Sequence, residues 1–98
     1  MYSIHYLTDD GRRLICTSSR FMYFKENPEQ WEVSLFSKKK MAYRMIRNRR
    51  KSIDAKVYLS DGIMDHTEGR EAEFPFKEDN FKIVPVSYEY GDDEMFPG

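Results

Sequence analysis

Hydrophobic and polar positions alternate from Tyr2 to Leu7, with Tyr2, Ile4 and Tyr6 on one face and Ser3, His5 and Leu7 on the other. A two-residue period predicts a half-buried strand. Asp9, Asp10 and Gly11 tolerate positive φ, so a hairpin turn follows, and Leu14 to Thr17 reads as the return strand. Arg20 to Phe24 is a third short strand or a bulged continuation of the second. Glu26 to Glu29 is a turn: Asn27 precedes Pro28 and is pushed out of the helical region, and Pro28 has no donor for a ladder. Alternation resumes from Trp31 to Phe36, with Trp31, Val33 and Leu35 sharing a face.

The period then changes. Ser37 to Lys51, SKKKMAYRMIRNRRK, is the one segment with helical spacing, and Ser37 is its expected N-cap. At about 100° per residue, Met41, Ala42, Met45 and Ile46 fall within an arc of roughly 140°, with Ile53 joining it if the helix runs on. The opposite arc collects Lys39, Lys40, Tyr43, Arg44, Arg47, Arg50 and Lys51. Lys38 and Arg49 fall on the apolar side near the ends, where their stems can lie along the core while their charges reach water.

Beyond the helix, Lys56 to Leu59 is a brief strand. Ser60 to Asn80 shows no sustained period and holds Gly62, Gly69 and Pro75, which predicts a long loop. Phe81 to Tyr90 is the last strand, with Pro85 arguing for an edge position or a bulge. Gly91 to Gly98 is an acidic, flexible tail. The expectation is an α+β fold: one domain over residues 1–90, an antiparallel sheet of four to five strands, and one amphipathic helix packed on one face by Met41, Met45 and Ile46. The expected core is Ile4, Tyr6, Leu14, Val33, Leu35, Met41, Ala42, Met45, Ile46, Val57, Ile83, Val84 and Val86.

Composition supports one small core. A chain of 98 residues has room for a single domain, and 40% hydrophobic residues suffice for it without metals or disulfides. The lone Cys16 has no internal partner, which points to a reducing cytosol. Met1 leads straight into YSIHYL, without a basic or long apolar leader region, and no apolar run is long enough to span a membrane. A cytoplasmic protein without membrane attachment is expected. Charge is lopsided: residues 1–60 hold 13 Lys/Arg against 6 Asp/Glu, and residues 61–98 hold 3 against 11. Either the acidic half folds back over the basic helix or the helix keeps a basic face for a partner.

Candidate chemistry is sparse. Eight Lys/Arg and no acid lie between Lys38 and Lys51. Three lysines in the first turn oppose the helix macrodipole, so stability does not place them there. A docked phosphate or carboxylate would offset that cost, and Tyr43 among the arginines is suited to stacking on a base. Asp61, Asp65, His66 and Glu68 cluster in sequence, but without the spacing of a calcium loop or a zinc protease. A solvated loop is the default there. Asp54-Ala55-Lys56 matches a three-residue fragment of metal-dependent nucleases but has no convincing upstream acid. Cys16 and His5 sit on adjacent predicted strands, where a Cys–His nucleophile competes with a plain buried cysteine. No phosphate loop, nucleophile elbow or paired-carboxylate pattern is present. A non-enzyme without cofactor or metal is the expectation.

LFSKKKMAYRMI, followed after a loop by FKIVPVSYEY, resembles a pattern in small uncharacterised proteins of tailed bacteriophages. There a strand leads through a Phe-Ser/Thr-Lys step into an Ala-containing helix, and the chain closes on an Ile-Val-Pro-Val-like strand. The matching positions are Phe36, Ser37, Lys38, Ala42, Ile46, Phe81, Ile83, Val84, Pro85 and Val86, mostly core and cap types. The acidic 60–80 segment and the tail depart from that pattern. The resemblance implies an early or accessory phage protein in the host cytoplasm that binds, and inhibits or redirects, a host protein. The alternative from the residues themselves is RNA or DNA binding through the basic helix face. Homo-oligomerisation is left open.

Overall fold

A computed structural model describes residues 1–60 and 70–87 of the chain. Seven strands and one helix follow in the order β1 (Tyr2–Leu7), β2 (Arg13–Ser18), β3 (Tyr23–Lys25), β4 (Leu35–Phe36), α1 (Lys39–Arg50), β5 (Lys56–Ser60), β6 (Arg70–Pro75) and β7 (Phe81–Pro85). Single 3-10 turns stand at Gln30–Glu32 and Glu78–Asn80. The fold is α+β, as the periodicities imply. The sheet is larger than four to five strands, and it is mixed: β3 and β5 run parallel, through Tyr23 opposite Tyr58 and Phe24 opposite Leu59. A parallel pair needs a long crossover, and β4 and α1 lie within the connection that supplies it. No described helix is long and apolar enough to cross a membrane.

The β1–β2 hairpin turns where expected, with Gly11 at φ 92. The third strand is shorter and later than expected because β2 bulges between Cys16 and Ser18, and Met22 takes a left-handed φ of 56 to re-enter the ladder. Most of the Trp31–Phe36 segment is not a strand. Glu32 accepts the Glu29 backbone N–H at 2.8 Å and pairs with Lys25 at 2.5 Å, which winds Gln30–Glu32 into a turn and leaves two residues of ladder in β4. Trp31, expected to share a strand face with Val33 and Leu35, is instead 70% exposed.

The expected long loop at 60–80 contains β6. Ala72 and Phe74 turn inward while Glu71 and Glu73 stay in solvent, so a two-residue period was there beneath an acidic composition. The last strand ends at Pro85, opposite Tyr2; residues 88–90 of the expected strand and the 91–98 tail lie outside the described residues. Among the described strands β7 pairs only β1, so Pro85 is on an edge, where its missing donor costs no ladder bond.

The sheet curls, and chain length requires it. From β7 through β1, β2, β3 and β5 to β6 there are five strand spacings, about 24 Å if flat. The connection from Pro75 to Phe81 has six Cα steps, at most about 22 Å, and its 3-10 turn shortens it further. The two ends of the sheet are therefore drawn together. Aromatic rings fill the seam: Tyr6 of β1 meets Phe74 of β6 at 6.5 Å and Phe81 of β7 at 4.7 Å between centroids. Asp9 of the hairpin turn holds Lys77 by an ion pair and Asn80 by a 3.2 Å hydrogen bond. Those two donors keep the Asp9 carboxyl below its usual range.

The core lies inside the curl: Ile4, Tyr6, Leu14, Cys16, Met22, Phe24, Ala42, Ile46, Val57, Leu59 and Phe81. Helix α1 packs over β1, β4 and β7. It does so through Ala42 and Ile46, not through Met41 and Met45: Met45 is half-buried and Met41 is 45% exposed. The wholly buried Ala42 carries a single methyl, so the helix seats close to the strands on a narrower stripe than expected. Val33, Leu35, Ile83, Val84 and Val86 are likewise half-buried rim, not core.

Candidate binding surface

Helix α1 starts without a side-chain cap. Lys38, not Ser37, is the N-cap residue, in extended conformation (φ −133, ψ 142), and the Ser37 hydroxyl donates to the Met41 sulfur at 3.5 Å instead of to a backbone amide. No acid stands in the first turn. Lys38, Lys39 and Lys40 therefore oppose the macrodipole with no compensation from the cap. At the other end Arg47, Arg49 and Arg50 sit in the last turn, where the dipole favours them. The helix stops at Arg50, and Ile53, which would have extended the apolar arc, is 96% exposed in the turn that follows.

The structure brings the predicted face together. Lys39, Lys40, Tyr43, Arg44, Arg47 and Lys51 line one open surface with Asn48, and every one of them is exposed. Arg50 belongs to the same helix but turns to Glu78 at 2.5 Å. Glu78 is the one carboxylate among the described residues within salt-bridge reach of this face. Of the other acids of the 61–98 half, one of whose two readings was a fold back over the helix, Glu71 and Glu73 are on the sheet, with Glu73 beside Lys56. Asp79 is in the turn at Glu78–Asn80, and the rest lie outside the described residues. Arg49 lies on the inner side as expected, and its buried Nε has no hydrogen-bond partner.

The Cys16–His5 pairing is excluded by register. His5 lies opposite Ile15, so it shares that residue's face, and the adjacent Cys16 points to the other. Cys16 is wholly buried in the core, and burial pushes its thiol up to about 12, the reverse of an activated nucleophile. His5 Nδ1 lies 2.7 Å from the Arg13 guanidinium, which can only donate, so Nδ1 accepts and the proton sits on Nε2, 3.1 Å from the Ser3 hydroxyl. In that tautomer the imidazole donates to Ser3 and is not its general base. Burial, and then Arg13, hold the His5 pKa below its ordinary value.

Asp54 is exposed in the turn before β5, and Lys56 pairs with Glu73 at 3.9 Å. Among the described residues no three His, Cys, Asp or Glu converge as a metal site would require. The Asp61, Asp65, His66 and Glu68 candidate lies outside the described residues. Sequence reading missed the group formed by His5, Arg13 and Lys82, which come from three strands. Alternation gave the face of His5, but only the β1–β7 register places Lys82 opposite it.

No family model matches the chain, and no curated protein and no solved structure matches it at a significant level.

Proposed function

We propose that this protein acts by binding, without chemistry of its own, and that the outer face of α1 docks an acidic surface of a partner protein. The observation that carries this is the exposure of Lys39, Lys40, Arg44, Arg47 and Lys51 on one helix face, with no carboxylate within salt-bridge reach of any of these five among the described residues, Glu78 being taken by Arg50. Lysines placed against the macrodipole serve a partner better than they serve the helix. A field of one sign speeds encounter with an oppositely charged surface and disfavours others. Tyr43, 52% exposed at the centre of that face, supplies the aromatic contact around which such interfaces concentrate their energy. In the phage setting that the sequence resembles, the partner is a host protein in the host cytoplasm, inhibited or redirected by occupancy.

The same Tyr43 favours a second reading, in which the face takes RNA or DNA, the cations neutralising phosphates and the ring stacking on a base. One experiment separates the two. Tagged protein and the triple variant Lys40→Glu, Arg44→Glu, Arg47→Glu are used to capture partners from nuclease-treated and untreated bacterial lysate at low and moderate salt. The first reading expects a stoichiometric protein that survives nuclease and is lost in the variant, whose melting temperature is unchanged. Capture that disappears with nuclease selects nucleic acid. Capture that the variant retains, or no capture at all, removes the α1 face from both.

A further inference from the structure

The face of the sheet turned away from α1 carries a second cationic group, made by three neighbouring strands. Register sets Lys82 of β7, His5 of β1, Ile15 of β2 and Lys25 of β3 in one row across the sheet. Arg13 stands two residues along β2 from Ile15, on the same face, and its guanidinium reaches back to His5 Nδ1 at 2.7 Å. Arg13 and Lys82 are exposed, His5 is half-buried between them, and Ser3 beneath is buried. Lys25 is committed to Glu32 of the 3-10 turn. Among the described residues no carboxylate lies within salt-bridge reach of Arg13 or Lys82.

Folding gains little from this arrangement. An arginine that donates to a neutral imidazole has given up a stronger charge-assisted bond to a carboxylate. A lysine across the strand pair adds a like charge. Strands flanking β1 are about 10 Å apart, so the long Arg13 and Lys82 side chains can close over His5 from opposite sides. Arg13 also keeps guanidinium donors beyond the one used on His5.

We propose that Arg13 and Lys82, converging over His5, form a binding site for a phosphate group, separate from the α1 face. Arg13 supplies planar paired donors that match phosphate oxygens, Lys82 supplies a second charge, and His5 holds Arg13 in place while the site is empty. When Arg13 turns to the anion, His5 Nδ1 loses its donor and gains a negative neighbour. Phosphate binding is therefore coupled to proton uptake by His5. The groups facing His5 are Ser3 on its own strand, Arg13 on β2, Lys82 on β7 and, one strand further, Lys25 held by Glu32. All but Ser3 and Glu32 oppose imidazolium formation until an anion arrives.

The test is an NMR pH titration of the His5 ring, assigned with His5→Gln, in inorganic phosphate and in sodium chloride of matched ionic strength. The His5 midpoint is expected to rise saturably with phosphate and not with chloride. Arg13→Gln and Lys82→Gln should each weaken that dependence about tenfold, the loss of one charge-assisted contact. Arg44→Gln on α1 should leave it intact. A midpoint that phosphate moves no further than chloride overturns the proposal. So does a phosphate effect that survives both the Arg13 and the Lys82 substitution. Because both residues are exposed, their variants are expected to fold, and melting temperatures equal to wild type would establish that.

Discussion

The Tyr6 hydroxyl donates to the Pro75 carbonyl across 2.6 Å, tying the first strand to the end of the sixth. These residues sit far apart along the strand order, and the bond exists because the sheet curls. It satisfies the hydroxyl of a side chain that is 1% exposed and surrounded by Phe24, Phe74 and Phe81. Tyr6→Phe keeps the ring and leaves the carbonyl without its donor, which should lower stability by about 1–2 kcal/mol. Urea unfolding of the two proteins, with unchanged m, measures it. Coincident midpoints would show that the seam is held by ring packing alone.

Cys16 makes stability depend on alkaline pH. Its thiol ordinarily ionises near 9.0, and burial raises that to about 12 in the folded protein. Between those values the unfolded chain releases a proton that the folded one keeps. The contribution is fully present below pH 9 and is lost as pH rises toward 12, at up to about 1.4 kcal/mol per pH unit. Cys16→Ala lacks this slope, so its stability curve should approach that of the wild type above pH 9. Parallel curves would mean that the thiol ionises without unfolding. In the same pH series at neutrality, a thiol reagent should modify Cys16 no faster than the chain unfolds.

Gly11 and Met22 are the two described residues at positive φ, 92 and 56. Gly11 has open space where a Cβ would go, so Gly11→Ala clashes with nothing and bears only the backbone cost, about 1 kcal/mol. Met22 already bears such a cost and is wholly buried. Met22→Gly relieves the backbone but empties a core position, and removal of a buried Met side chain costs about 2–5 kcal/mol. Both variants should therefore be destabilised, Met22→Gly more. A neutral Met22→Gly in chemical denaturation would mean that the core closes over the gap.

Arg50 and Glu78 are the one ion pair described between the basic helix and the acidic half of the chain. Both side chains are partly exposed, at 49% and 37%, so Arg50→Gln should change stability by less than about 1 kcal/mol. Charge on the face should respond more. Glu78→Gln frees Arg50, whereas Glu71→Gln removes one charge on the sheet. Heparin retention at low salt, where the Debye length is long, should rise more for Glu78→Gln. Equal retention of the two variants would reduce the effect to net charge.

The strands β1, β2 and β5, the hairpin at Gly11 and the basic arc of α1 were legible in the sequence because each is a local pattern. Period two, a residue that tolerates positive φ, and period 3.6 need no knowledge of the rest of the chain. Local composition also misled. The acidic residues of β6 hid the inward Ala72 and Phe74, and Glu29 and Glu32 wound a turn where Trp31, Val33 and Leu35 alternate like a strand. Three matters belonged to tertiary structure alone. The short Pro75–Phe81 connection curls the sheet and brings Tyr6 to Pro75, and the packing of α1 over β1, β4 and β7 buries Ala42 and Ile46 and leaves Met41 exposed and Met45 half-buried. Parallel pairing of β3 with β5 depends on a crossover that no strand encodes by itself. The β1–β2 register sends His5 and Cys16 to opposite faces, and the β1–β7 register sets Lys82 beside His5, because long-range pairing, not spacing along the chain, decides which side chains meet.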